Sequence, residues 1–245
     1  MTIHDKTAEA VKLTSTGWPV VTTWRTVTLE NAKYAVKIYN EGLYGCVKNP
    51  DLDERARQMF ANGLGSTTEQ IARQVDFIGR DYGGAAGFKA AYSLVPDITR
   101  DIAGNRERYE KAATSAHPIR SEIPNRSTVE ILYRPFVKPL HGKSNWPVWA
   151  SKFWHFLNPD AFPIEDSRVD TFFVISDPNS VDKYLKLLKR FREFALSHEG
   201  WVLHLRQVDG SADGEVPCSE NKLWDKVFYG LGELSSSGRA HLTSG

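Results

Sequence analysis

Between Trp146 and Val169 the chain reads WPVWASKFWHFLNPDAFPIEDSRV, and the residue there best suited to chemistry is Asp166. An aromatic helix is expected up to the turn at Asn158-Pro159. A short apolar extended piece, Phe162-Pro163-Ile164, then leads into a new helix opening on Asp166-Ser167-Arg168. A carboxylate at a helix N-terminus stays ionised in a partly dry site, because the free N–H groups and the helix dipole favour the anion. A charge fixed there suits the stabilisation of a developing cation. The plain alternative is that Asp166 does nothing but cap its helix. Along the preceding helix Trp149, Phe153, Phe156 and Leu157 fall on one face, and Val148, Lys152 and His155 on another, which reads as a core face with a solvated Lys/His edge.

Other constellations fail on spacing. Gly142-Lys143-Ser144 has the ending of a phosphate-binding loop, but Val137 stands where that motif needs its first glycine. Asn158-Pro159-Asp160 with Glu165 has the outline of a nuclease core, yet Ser167 occupies the place of the required lysine. The glycines from Gly79 to Gly87 follow a helix rather than a strand, so they give no dinucleotide site. The seven histidines show no paired ligand spacing, and no metal or other cofactor is expected.

The elements that must position Asp166 are predominantly helical. Thr28 is expected to cap a helix carrying Ala32, Ala35, Val36 and Tyr39, and Pro50-Asp51 to open the next. Thr67 or Thr68 caps TEQIARQVDFIGRDY, and a polar helix follows over Asn105 to Ala113. Asp177-Pro178 introduces a long helix with an apolar stripe through Tyr184, Leu188, Phe191 and Phe194. Short extended pieces are expected near the N-terminus, at Pro19–Leu29, and around 201–208, where Trp201–Val208 reads as strand-like or as a buried turn of helix. No βαβ rhythm is present, which argues for an all-α, two-lobed helical fold with a central cleft. The division reads as an N-terminal irregular arm at 1–28, a helical lobe at 29–113, a linker loop at 114–127, a second lobe at 128–234 carrying Asp166, and a disordered tail at 235–245.

Composition bounds the rest. No apolar run reaches the ~18 residues of a membrane span, and MTIHDKTAEAVKL lacks the apolar core of a signal peptide. Two distant cysteines, Cys46 and Cys218, fit a reduced, cytoplasmic chain, and a monomer is expected. A net charge of +1 gives no global signature of nucleic-acid binding. Locally, Ile131 to Pro159 contains no acidic residue while holding Arg134, Lys138, Lys143 and Lys152. Such a strip can form a phosphate footprint, or be a gap in acidic residues within a buried segment.

The segment from Lys138 to Val169, about an eighth of the chain, resembles the helix-hairpin-helix DNA glycosylases. The likeness rests on a glycine-containing turn, a helix beginning Ala150-Ser151, an extended Pro-Ile step, and Asp166 in DSRV at the family's aspartate. Two departures stand out. Ser144-Asn145-Trp146 replaces the hairpin's Gly-apolar-Gly, leaving Gly142 and Lys143 for part of that contact. Val148 stands where Schiff-base-forming members carry a lysine, so the resemblance implies a monofunctional enzyme.

The resemblance implies hydrolysis of the N-glycosidic bond of a flipped, damaged or modified base in double-stranded DNA, leaving an abasic site. Asp166 would stabilise the cationic sugar, and Tyr133, Trp146 and Trp149 would serve as base pocket or wedge. Gly142, Lys143, Ser144, Asn145, Lys152 and Arg168 would contact the backbone. Repair and defence against modified phage DNA are both open on this reading. The other class is a non-catalytic helical module binding DNA or protein, with Asp166 as a cap.

Overall fold

The computed structural model describes residues 27–41, 50–82, 89–137, 146–210 and 218–242. Among them regular structure is helical throughout, with no strand. In chain order the α-helices are α1 (Leu29–Glu41), α2 (Pro50–Phe60), α3 (Thr68–Arg80), α4 (Val95–Gly104), α5 (Arg106–Thr114) and α6 (Arg126–Tyr133). Then come α7 (Pro147–Leu157), α8 (Ser167–Phe173), α9 (Ser180–Ser197), α10 (Val202–Asp209) and α11 (Glu220–Leu242). The all-α expectation holds, and no helix among the described residues is long and apolar enough to cross a membrane.

Local chemistry explains the starts. Thr28 Oγ1 accepts the Asn31 N–H at 3.2 Å while Asn31 Oδ1 accepts the Thr28 N–H at 3.3 Å, a reciprocal cap on α1. Thr67 and Gln70 do the same for α3, and Asn179 caps α9 through the Val181 and Asp182 N–H groups. Pro147 sits in the first turn of α7, where its missing N–H costs nothing.

One hydrophobic cluster runs through the described chain, joining Val36 of α1, Val75 of α3, Phe153 of α7, Phe191 of α9 and Phe228 of α11. The longest contact is α1 along α11. It depends on Gly230, where a Cβ would come within 2.3 Å of the Ala35 carbonyl oxygen. A similar approach sets α3 on α7, since a Cβ on Gly79 would fall 2.4 Å from the Trp149 ring. The aromatic rings of Phe172, Phe173, Phe194 and Phe228 pack edge-to-face and tilted between α8, α9 and α11.

The stretch 114–127 is tied down along its course. The Ile119 N–H donates to the Asp160 carbonyl at 2.9 Å. Arg120 pairs with both Glu199 and Glu220, and Asn158 Nδ2 donates to the carbonyls of Ala113 and Ala116.

One expectation is corrected. The 201–208 segment is helical, in a short 3-10 turn (Glu199–Trp201) and then α10, and not extended. After Trp201-Val202, its Leu203-His204-Leu205-Arg206 alternation mimics a strand. With no neighbouring strand to take the backbone N–H and C=O groups, the helix satisfies them internally. Leu205 alone is buried, and Gly210 ends the helix at φ 74°. Helix α11 is the last element, Glu220–Leu242. The extended piece expected at 19–26 lies outside the described residues, while Leu29 already belongs to α1.

Candidate functional site

Asp166 stands immediately before α8. Its Oδ1 accepts the Arg168 N–H at 2.7 Å, and its backbone carbonyl accepts the Asp170 N–H at 2.9 Å. The carboxylate therefore caps the helix. It is not sealed, since the side chain keeps 16% exposure and its Oδ2 lies 4.0 Å from an Arg168 guanidinium nitrogen. Lys152 and Asp225 are its electrostatic neighbours. Burial lowers the Lys152 ammonium and Asp166 pulls it back up, while burial, and then Asp166 among its neighbours, raise Asp225. One oxygen is thus fixed in direction by a backbone donor, and the other edge faces a mixed-charge surface.

The remaining sequence candidates are placed differently from one another. Arg168 stays half exposed, its guanidinium 4.1 Å from the centre of the Tyr229 ring. Lys152 is turned inward, donating to the Tyr82 carbonyl at 3.2 Å over the Tyr82 ring. Tyr133 and Trp149 are buried in the core. The Tyr133 hydroxyl donates to Glu165 Oε2 at 3.2 Å and Trp149 Nε1 donates to the Val75 carbonyl at 3.1 Å. Neither ring can meet a base without opening that core. The aromatic spacing that suggested a wedge is the spacing of a core face. Trp146 is half buried, its backbone N–H donating to the Phe136 carbonyl at 2.9 Å. Gly142, Lys143, Ser144 and Asn145 lie outside the described residues.

The expected solvated Lys/His edge of α7 is closed. His155 is buried and its Nδ1 lies 2.8 Å from the Phe162 carbonyl. A carbonyl only accepts, so Nδ1 carries the proton and Nε2 is the acceptor of a neutral ring. Burial, with the positive charge of Lys222 beside it, depresses the imidazole to about 4. Of the basic strip, Lys138 and Lys143 lie outside the described residues. Among its described members Arg134 alone is exposed, within 4.0 Å of Asp101.

Sequence reasoning missed a second constellation beside Asp166. Lys222 on α11 is buried, and its Nζ lies 2.9 Å from Asp225 Oδ2, 3.4 Å from Asp53 Oδ1, and 3.0 Å from each of the Tyr39 and Tyr82 hydroxyls. Both phenols donate onward to Asp53. Burial opposes the Lys222 ammonium, but Asp225 and Asp53 more than offset it and raise it well above its usual value. Burial also pushes both phenols up, so they remain protonated donors. One turn on, Lys226 pairs with Asp209, which also accepts from Asn40. The only sequence signal is Lys222-Asp225-Lys226 at helical spacing, which is equally the pattern of a solvated face.

Comparison with protein-family models, with curated proteins and with solved structures finds no match to this chain. The site's own geometry therefore carries the functional argument. A groove of about 630 Å³ between α3 and α4, lined by Thr68, Ala72, Val95, Pro96, Thr99 and Arg100 among others, contains none of the residues around Asp166.

Proposed function

We propose that the chain is a monofunctional DNA N-glycosylase in which Asp166 stabilises the cationic sugar as a flipped base departs. The observation that carries this reading is the state of Asp166. It is a carboxylate aimed by the Arg168 N–H, partly open to solvent, and set beside the half-exposed Arg168 guanidinium. Departure of a base builds positive charge at the anomeric carbon, and an oriented anion there acts mainly in the transition state. Arg168, braced against Tyr229, is the described residue best disposed to reach a phosphate oxygen. The base pocket is not assigned to Tyr133 or Trp149, since both are committed to the core.

The test is base release from duplex DNAs carrying damaged or naturally modified bases, read by mass spectrometry, with alkali revealing abasic sites. Asp166→Asn keeps the cap acceptor, and the expected loss is on the order of 10²–10³-fold in kcat with folding intact. Full activity in the folded variant refutes the role. Borohydride trapping of a covalent complex refutes the monofunctional assignment.

A second reading, a helical binding module, draws on the burial of Tyr133 and Trp149, which leaves no described aromatic ring presented as a wedge from those positions. It predicts salt-sensitive DNA binding, or none, with no base released from any substrate.

A further inference from the structure

Directly behind Asp166, two carboxylates are buried on one ammonium. Glu165 is 0% exposed. Its Oε2 accepts from the Tyr133 hydroxyl on α6, and its Oε1 lies 3.1 Å from Lys183 Nζ on α9. The same Nζ reaches Asp170 Oδ2 on α8 at 2.5 Å. One ammonium neutralises one carboxylate, leaving the group a charge in excess. Glu165 Oε1 has only the shared Lys183 ammonium as its partner, and Asp170 Oδ1 is buried without a hydrogen bond. Acceptors placed this way are satisfied most simply by one further proton.

Among the described residues, Lys183 is the positive charge that acts on Glu165. The titratable and charged groups acting on Glu165 are Tyr133 on α6, Asp170 on α8, and Lys183 on α9, with the Tyr184 phenol pushed up by burial and by Glu165 itself. α7 contributes only Ser151. Burial and the Asp170 carboxylate raise the Glu165 carboxyl to about 7, against the opposing pull of Lys183.

The backbone of residue 165 is held as firmly as its side chain. Its N–H donates to Ser151 Oγ at 3.0 Å, and its carbonyl lies 3.4 Å from the same hydroxyl. The next residue is Asp166, whose carboxylate lies on the side of Lys152, Arg168 and Asp225. A change in the buried group is therefore transmitted across a single peptide unit.

We propose that Glu165 is the positioning residue for Asp166, and that a proton held between Glu165 and Asp170 beside Lys183 fixes the seating of α8. Its effect on catalysis rests on the glycosylase reading above, while the coupling itself does not. With the proton in place the group is neutral and the start of α8 lies against α6 and α9. Loss of the proton leaves two carboxylates repelling each other across Lys183, which displaces residue 165 and reorients the Asp166 carboxylate.

The Arg168 N–H, bonded to Asp166 Oδ1, reports that orientation. In amide NMR spectra of the full chain between pH 5.5 and 8.5, the Arg168 resonance is expected to titrate with a midpoint near 7. Glu165→Gln keeps an oxygen toward Lys183 and lets its amide donate to the Tyr133 oxygen, and it should abolish that step. Asp170→Asn removes the competing carboxylate and should move the midpoint down by a unit or more. A step that persists in Glu165→Gln, or its absence from the wild type, overturns the proposal. A midpoint unmoved in Asp170→Asn overturns proton sharing. A step that behaves as expected in a chain that releases no base supports the coupling and removes only the glycosylase reading.

Discussion

Replacing Lys222 with methionine tests whether the hub beside Asp166 holds the helices together or merely decorates a surface. The side chain is 8% exposed, and its ammonium is shared among Asp225, Asp53 and the two phenols. Methionine fills most of the volume but removes the charge. Asp225, equally buried, then faces Asp53 without the ammonium that bridged them, and two phenols lose their donor. Removing one partner of a buried ion pair costs roughly 3–5 kcal/mol, mostly the penalty of the charge left behind. The Asp53 side chain is 21% exposed, which places the expectation near the lower end, at about 3 kcal/mol. Urea unfolding at pH 7 reads this as a lower midpoint at unchanged slope. The same reasoning makes a second demand. Lys222→Met combined with Asp225→Leu removes the orphaned charge and should recover more than half of the loss. A single-variant loss below about 1 kcal/mol, the range of an exposed pair, refutes the argument, as does a double variant no better than the single.

Other expectations follow from single contacts. Gly230→Ala should cost about 1–3 kcal/mol, because its Cβ meets the Ala35 backbone and not a side chain able to turn away; thermal unfolding measures it. Val174 ends α8 at φ 55° with 78% exposure. A β-branched residue pays about 1–2 kcal/mol in that conformation, so Val174→Gly should stabilise the fold by about 1 kcal/mol after the entropy of glycine is counted. His155 has a folded value of about 4 against 6.5 unfolded. The unfolded chain binds the extra proton between those values, so this stability is present above pH 6.5 and lost as pH falls towards 4, by about 3 kcal/mol. The difference in unfolding free energy between wild type and His155→Asn should therefore shrink over that window; a constant difference rejects a neutral buried ring.

The parts of this protein legible in its sequence are those decided within a few residues. Thr28 and Thr67 cap their helices because a hydroxyl reaches an N–H three residues on, whatever lies elsewhere. The start of α8 at Asp166 is decided in the same local way. Local pattern misled where two structures share it. The alternation at 201–208 reads as a strand until the absence of a partner makes it α10. Lys152 and His155 share an edge of α7 that looks solvated, and the packing of Tyr82 and Phe162 against it is what closes it.

By itself, then, the sequence determined an all-α chain, its helix starts and a carboxylate placed on a helix dipole. Burial is a property of distant neighbours, and that belonged to the tertiary structure. Lys222 meets Tyr39 across 183 residues and Tyr82 across 140, and Glu165 meets Tyr133 across 32. Once water is excluded, a charge must find its counterion or its proton. Which lysine becomes a hub, and which glutamate a buried proton holder, is settled only when those helices close.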